Sequence, residues 1–147
     1  MAKLKEKVDA DLLQFLINIG LVGIEKNIFK DARPIFEAVA QARPESMEVK
    51  LVHSLALVLM GDFVQGGKLA SKVLEKHKDN ELAKSILALS LMCMKQDSEA
   101  IPLAQSLLKS GKDENAKQFA QQVIAMQKDK VLPFQDLQKE QLASVVQ

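Results

Sequence analysis

The stretch LQFLINIGLVGIEKNIFKDARPIFEAVAQARPES, residues 13–46, recurs along the chain with a step of 34 residues. Shifted once and then twice, Gly20 falls on Ser54 and Ala88, and Ala32 falls on Gly66 and Ala100. Leu21 falls on Leu55 and Leu89, and Val39 on Val73 and Leu107. Small residues meet small residues and branched apolar residues meet apolar ones, with no gap. A fixed period of this length is the mark of stacked helix pairs, each too small to bury its apolar face alone. The expected fold class is all-α: three helical hairpins and a C-terminal capping helix.

Within the stretch, Asp9 or Asp11 is expected to cap the first helix. Leu12, Phe15, Leu16, Ile19 and Val22 form one apolar stripe on it, and Leu13, Ile17, Leu21 and Ile24 a second, overlapping one. A helix with two such stripes is expected to be covered on both sides, as inside a stacked array. Asn27 is read as the stop, Asp31 as the cap of the second helix, and Pro34 as a residue of that helix's first turn, where its missing N–H costs little. Pro44 and Glu45 end the hairpin, and Ser46 caps the next helix.

The second unit, Met47 to Asn80, turns at Gly61-Asp62-Phe63. Gly66 fits a close helix crossing in the repeat. Gly67 has no place in the pattern and should cost about 1 kcal/mol relative to Ala. The third unit, Glu81 to Glu114, turns at Lys95-Gln96-Asp97, with Ser98 as the expected cap, Pro102 early in the helix and Gly111 as the stop. From Glu114 to Gln127 a further helix keeps Phe119, Val123 and Met126 at helical spacing but places Gln121 and Gln122 where a partner helix would bury residues. That polarity suits an array end. The array is read as residues 1–128, and 129–147 as a tail, either a short helix or disordered.

The composition narrows the function classes. A chain of 147 residues can bury roughly 70% of the surface its unfolded form exposes. The net charge is +1, and Arg33 and Arg43 are the only arginines. This balance gives no reason to expect nucleic acid or an anionic membrane surface. One cysteine, Cys93, precludes an internal disulfide and fits a reducing, cytoplasmic setting. The N-terminus lacks the apolar core of a signal peptide, so secretion by that route is not expected. Ile86 to Met94, interrupted by Ser90, is too short to cross a bilayer, so no membrane insertion is expected.

Little points to chemistry. His53 lies on an apolar face, and His77 lies near a helix end, where a cation suits the dipole. No Cys, Asp or Glu stands at a ligand spacing from either, so no metal is expected. Cys93 and His53 could in principle form a nucleophile pair, but a buried, inert thiol is the plainer reading. No glycine-rich phosphate loop, metalloprotease pair or calcium loop is present, and no cofactor is expected. Lys68, Lys72 and Lys76 share one helix face, read as a solvated surface or as a contact for acid on a partner.

The 34-residue step, with small residues midway along the first helix (Gly20, Ser54, Ala88) and at the start of the second (Ala32, Gly66, Ala100), resembles the tetratricopeptide repeat over about residues 13–127. The aromatic residues of that family's first helix are absent, and only the first unit keeps both the second-helix aromatic, Phe36, and the closing Pro44. Among such arrays, a short, Leu-rich chain without Trp or Tyr is similar to the chaperones of bacterial type III secretion, most of all those of the needle subunit. The segments Ile19-Gly20-Leu21, Phe29-Lys30-Asp31-Ala32 and Ala42-Arg43-Pro44 carry that likeness. It implies a non-catalytic cytoplasmic protein that holds a needle subunit unpolymerised, its groove taking the subunit's amphipathic helix, with a second small co-chaperone in some cases. A chaperone of the pore-forming translocators and a general assembly adaptor are the alternatives.

On the repeat's usual phase, the concave lining is Ile17, Leu21 and Ile24, then Leu51, Leu55 and Val58, then Ser85, Leu89 and Met92, then Phe119, Val123 and Met126. Apart from Ser85 these are the expected partner-binding residues. An apolar concave face calls for an amphipathic helix laid along it. The Lys and Asn that clamp a carboxylate in heat-shock co-chaperones are replaced here by Ile17, Leu21, Leu51 and Leu55. If the groove is open, charging Leu55 and Leu89 should abolish partner binding and leave helicity intact.

Overall fold

The computed structural model describes residues 2–129, with side chains over 10–127. Seven helices follow one another: α1 (Ala2–Glu25), α2 (Phe29–Ala42), α3 (Met47–Leu59), α4 (Phe63–Lys76), α5 (Glu81–Cys93), α6 (Asp97–Ser110) and α7 (Glu114–Asp129). The three hairpins are α1–α2, α3–α4 and α5–α6, and α7 closes the stack. The expected tail, 129–147, lies outside the described residues apart from Asp129, which ends α7.

The repeat is visible in the backbone. Asn27, Gly61 and Lys95, 34 residues apart, are the three residues with positive φ among the described residues (60°, 92° and 62°). After each, the same long backbone bond closes the turn: Ile28 N–H to Gly23 O, Asp62 N–H to Leu57 O and Gln96 N–H to Leu91 O, at 2.7–2.9 Å. This is the helix stop that satisfies the orphan carbonyls of a last turn through a left-handed residue. Asn27 and Gly61 adopt that conformation readily; Lys95 does so against its Cβ.

The small residues sit where helices cross. A Cβ on Gly20 would lie 2.7 Å from the Phe36 ring. One unit on, Ser54 is fully buried and its hydroxyl donates to the Gly66 carbonyl at 2.6 Å. A Cβ on Gly66 would lie 2.8 Å from the Ser54 carbonyl oxygen and 2.5 Å from Val58 Cγ2. Gly67 also has its reason: a Cβ there would lie 2.6 Å from Ser90 Oγ of α5, whose hydroxyl donates to the Phe63 carbonyl of α4. The two adjacent glycines thus serve two crossings, one with α3 and one with α5.

The caps differ in part from expectation. α1 runs through Asp9 and Asp11, so neither caps it. α2 and α6 start without a side-chain cap, at Ile28 and Gln96, which stand where α4 has Asp62. Asp31 and Ser98 therefore lie inside the helices, and Pro34 and Pro102 fall in the second turn. Ser46 caps α3 as expected. Asp62 and Asn80 accept from Gln65 N–H and Ala83 N–H, and Asp113 caps α7 through Asn115 N–H and Ala116 N–H. Gly111 ends α6 in an extended, not left-handed, conformation. Glu81 at the start of α5 accepts from Lys112 N–H and Asp113 N–H at 2.6 and 2.7 Å, which joins α5 to the α6–α7 turn. Those two bonds hold its carboxyl below the usual range.

The helices form two layers. α1 packs on α3, α3 on α5 and α5 on α7, whereas α2, α4 and α6 do not approach one another. The first helices of the hairpins therefore meet along one side, most sparsely at α1 and α3, and the second helices stand apart from one another. Packing between hairpins is sparser at the N-terminal end: α2 meets α3 over less of its length than α4 meets α5. One ion pair, Arg33 to Asp62 at 3.1 Å, also ties α2 to the α3–α4 turn.

Candidate docking face

Burial by the chain's own helices bears on the expected groove. Ile17, Ile24, Leu51, Leu55, Val58, Leu89, Met92, Phe119, Val123 and Met126 are all buried by the chain's own helices. Only Leu21 of the eleven keeps partial exposure. Ser85, placed on the same face, is buried and donates its hydroxyl to the Leu82 carbonyl. These residues come together as expected, but as the core of the array. In this conformation ten of the eleven are packed against the chain's own residues and offer no exposed apolar lining.

The large apolar surface left open lies elsewhere. Leu12, Phe15, Ile19 and Val22 are 54%, 60%, 41% and 53% exposed, and all stand on the outer side of α1. This is one of the two stripes expected to be covered. Its repeat equivalents show why it is bare. In α3 the matching residues are Ser46, Val49, His53 and Ala56; in α5 they are Asn80, Ala83, Leu87 and Ser90. Of these, Ser46 and Asn80 are the N-caps, and His53, Leu87 and Ser90 face the second helix of the preceding hairpin. Glu37 and Arg33 of α2 act on His53, and Ser90 and Leu87 lie over Gly67 of α4. Ala56, Ala83 and Ser90 are fully buried or nearly so. No described helix precedes α1, so its stripe meets solvent. Where a helix covers the position the residues are mostly small or polar; where none does, they are large and apolar. The 34-residue shift carries this signal in the outer stripe, beside the one it carries in the inner stripe.

The groups that could suggest chemistry are dispersed. Cys93 is half-buried and burial pushes its thiol up to about 12, which keeps it protonated and unreactive at neutral pH. Burial lowers the pKa of His53, opposed by Glu37 and reinforced by Arg33. Among the described residues, no cluster of three or more His, Cys, Asp or Glu side chains is placed to hold a metal ion. Lys68, Lys72 and Lys76 are exposed on α4. Lys68 and Lys72 border a solvent-open cleft of about 400 Å³ floored by Val64, Leu87 and Met94. Among the described residues no helix is long and apolar enough to cross a membrane.

Neither a curated protein nor a solved structure matches the chain. A family model does, over residues 3–129, a span that takes in the stripe, all three hairpins and α7. On that match the chain belongs to the family described as bacterial type III secretion protein (HrpB1_HrpK).

Proposed function

We propose that this chain serves type III secretion as a non-catalytic chaperone that binds an amphipathic helix of the needle subunit and keeps the subunit unpolymerised until export. The observation that carries the reading is the bare stripe Leu12, Phe15, Ile19 and Val22. The same position on α3 and α5 is covered by a helix, so the geometry at α1 is that of a helix seat without its helix. An amphipathic helix lays its apolar residues into such a seat at the spacing of its own turns. The docking surface proposed here is the outer side of α1, in place of the concave lining that the repeat's phase favours. Family membership supports a role in secretion; the needle subunit is the cargo implied by the resemblance of the chain, in size, Leu-rich character and lack of Trp and Tyr, to the needle-subunit chaperones.

The test mixes the purified chain with the needle subunit of its own secretion system. Expected are a one-to-one complex by size exclusion with light scattering, and suppressed subunit polymerisation. Phe15→Lys should abolish both while leaving the circular dichroism spectrum unchanged. Binding of a translocator instead of the needle subunit would move the reading to a translocator chaperone. Binding of neither would overturn it.

A further inference from the structure

We propose that, without a partner helix, two copies of this chain pair through α1, antiparallel, along Leu12, Phe15, Ile19 and Val22, and so mask the docking stripe. The proposal rests on the reading of that stripe as a helix seat. Its own support is the spacing. The four residues stand three, four and three positions apart, the alternation that lets a helix run a continuous apolar seam along a second helix. A two-fold axis at the middle of the stripe sets Phe15 of one copy against Ile19 of the other, and Leu12 against Val22. Every residue of the seam then meets an apolar counterpart, and the helix dipoles oppose, which favours the antiparallel sense.

The area fits. From their exposures the four side chains leave on the order of 400 Å² of apolar surface in solvent, at the scale of the largest such patch on an ordinary monomer. A stable interface buries about 800 Å² per partner, a little over half of it apolar. The stripe supplies nearly all of that apolar share, the half-buried Leu16 beside it adds to it, and Asp11, Asn18 and Glu25 on its margins form a polar rim. α2 and α3 hold the opposite side of α1, so each array points away from the seam and the two bodies do not compete for space.

Sedimentation equilibrium on the full chain from low to high micromolar concentration tests this. The wild type should pass from one to two chain masses. Phe15→Lys and Ile19→Glu should each stay at one mass, with unchanged helicity and melting. An equimolar mixture of the two variants should regain the double mass, because position 15 of one copy faces position 19 of the other. A wild type that stays monomeric throughout, single variants that still pair, or a mixture that does not recover would each overturn the proposal. The needle-subunit assay separates its failure from that of the functional reading. A monomeric wild type that still binds the subunit through Phe15 sinks only the pairing; a pairing chain that binds no subunit sinks only the chaperone role.

Discussion

At the C-terminal end of the described array, α7 buries Ala116, Phe119, Ala120, Val123 and Met126 against α5 and α6 and leaves Gln118 and Gln121 in solvent. At the N-terminal end, α1 buries Ile17 and Ile24 against the stack and leaves Leu12, Phe15, Ile19 and Val22 in solvent. A stacked array needs a polar face wherever stacking stops. α7 has one and α1 does not. The difference is the one expected if, as proposed, α1 seats a further helix. The inner residues of both helices are buried apart from Leu21, so the comparison can be tested by treating inner and outer positions alike.

The largest effect is expected inside. Leu55 and Leu89 have no exposed surface, and Leu55→Glu with Leu89→Glu places two carboxylates in the core without partners. Each substitution costs on the order of 4 kcal/mol or more, enough together to abolish a fold of ordinary stability. Far-UV circular dichroism should show loss of the cooperative melt. A variant that stays helical and loses only its partner would mean that the first helices part to admit a ligand, and would restore the concave groove.

Next comes the crossing of α3 and α4. Gly66→Ala drives a methyl against the Ser54 carbonyl, a backbone atom that cannot swing aside, as well as against Val58. The loss should be about 1–3 kcal/mol despite the better helix propensity of Ala, read from urea midpoints. No cost would show that the α3–α4 crossing relaxes to admit the methyl.

The architecture was legible because a repeat states its packing three times. Gly20, Ser54 and Ala88 carry no strong signal singly, yet their recurrence places each at a crossing. The turns at Asn27, Gly61 and Lys95 were legible in the same way. The caps of α2 and α6 were not: all three turns start the next helix at the same repeat position, where Asp62 can cap α4 but Ile28 and Gln96 make no cap bond, so Asp31 and Ser98 lie within the helices. Gly67 was opaque because its reason, Ser90, belongs to the next hairpin. That the stripe of Ile17 and Ile24 is buried while that of Phe15 and Ile19 is bare was not legible, for a more general reason. Periodicity shows that Leu12, Phe15, Ile19 and Val22 are apolar and aligned, and the same is true of Ile17, Leu21 and Ile24. Which stripe is covered depends on whether a neighbouring helix exists there, and a helix's own sequence does not contain its neighbour.

A smaller effect of opposite sign is expected at the turns. Lys95 holds φ at 62°, which a side chain resists by roughly 1–2 kcal/mol; its equivalent Gly61 holds φ at 92° freely. Lys95→Gly should raise stability by up to about 1 kcal/mol, the glycine's larger unfolded-state entropy offsetting part of the gain. Calorimetry at pH 7 would read it, and a loss would mean that the Lys95 side chain makes a compensating contact.

His53 and Ile19 occupy the same repeat position, one covered by α2 and the other open. Burial lowers the pKa of His53 from 6.5. Below pH 6.5 the unfolded chain therefore binds more protons than the folded one, and stability should decline as the pH falls from there toward the lowered folded value. His53→Gln should flatten that part of the profile. An unchanged slope would show that α2 does not cover the position tightly enough to exclude water.

The smallest effect is expected at the outer stripe itself. Phe15 is the most exposed of its four residues. In the core, removing a phenylalanine ring costs about 3–5 kcal/mol. Phe15→Ser, measured by urea denaturation at concentrations low enough to keep chains apart, should change stability by less than about 0.5 kcal/mol. The contrast with Phe36, fully buried under Gly20, sharpens the comparison: Phe36→Ser should cost the full core value. A large loss for Phe15→Ser in the isolated chain would mean that another part of the same chain already covers the stripe, and the seat on α1 would then be internal packing with no vacancy for a partner.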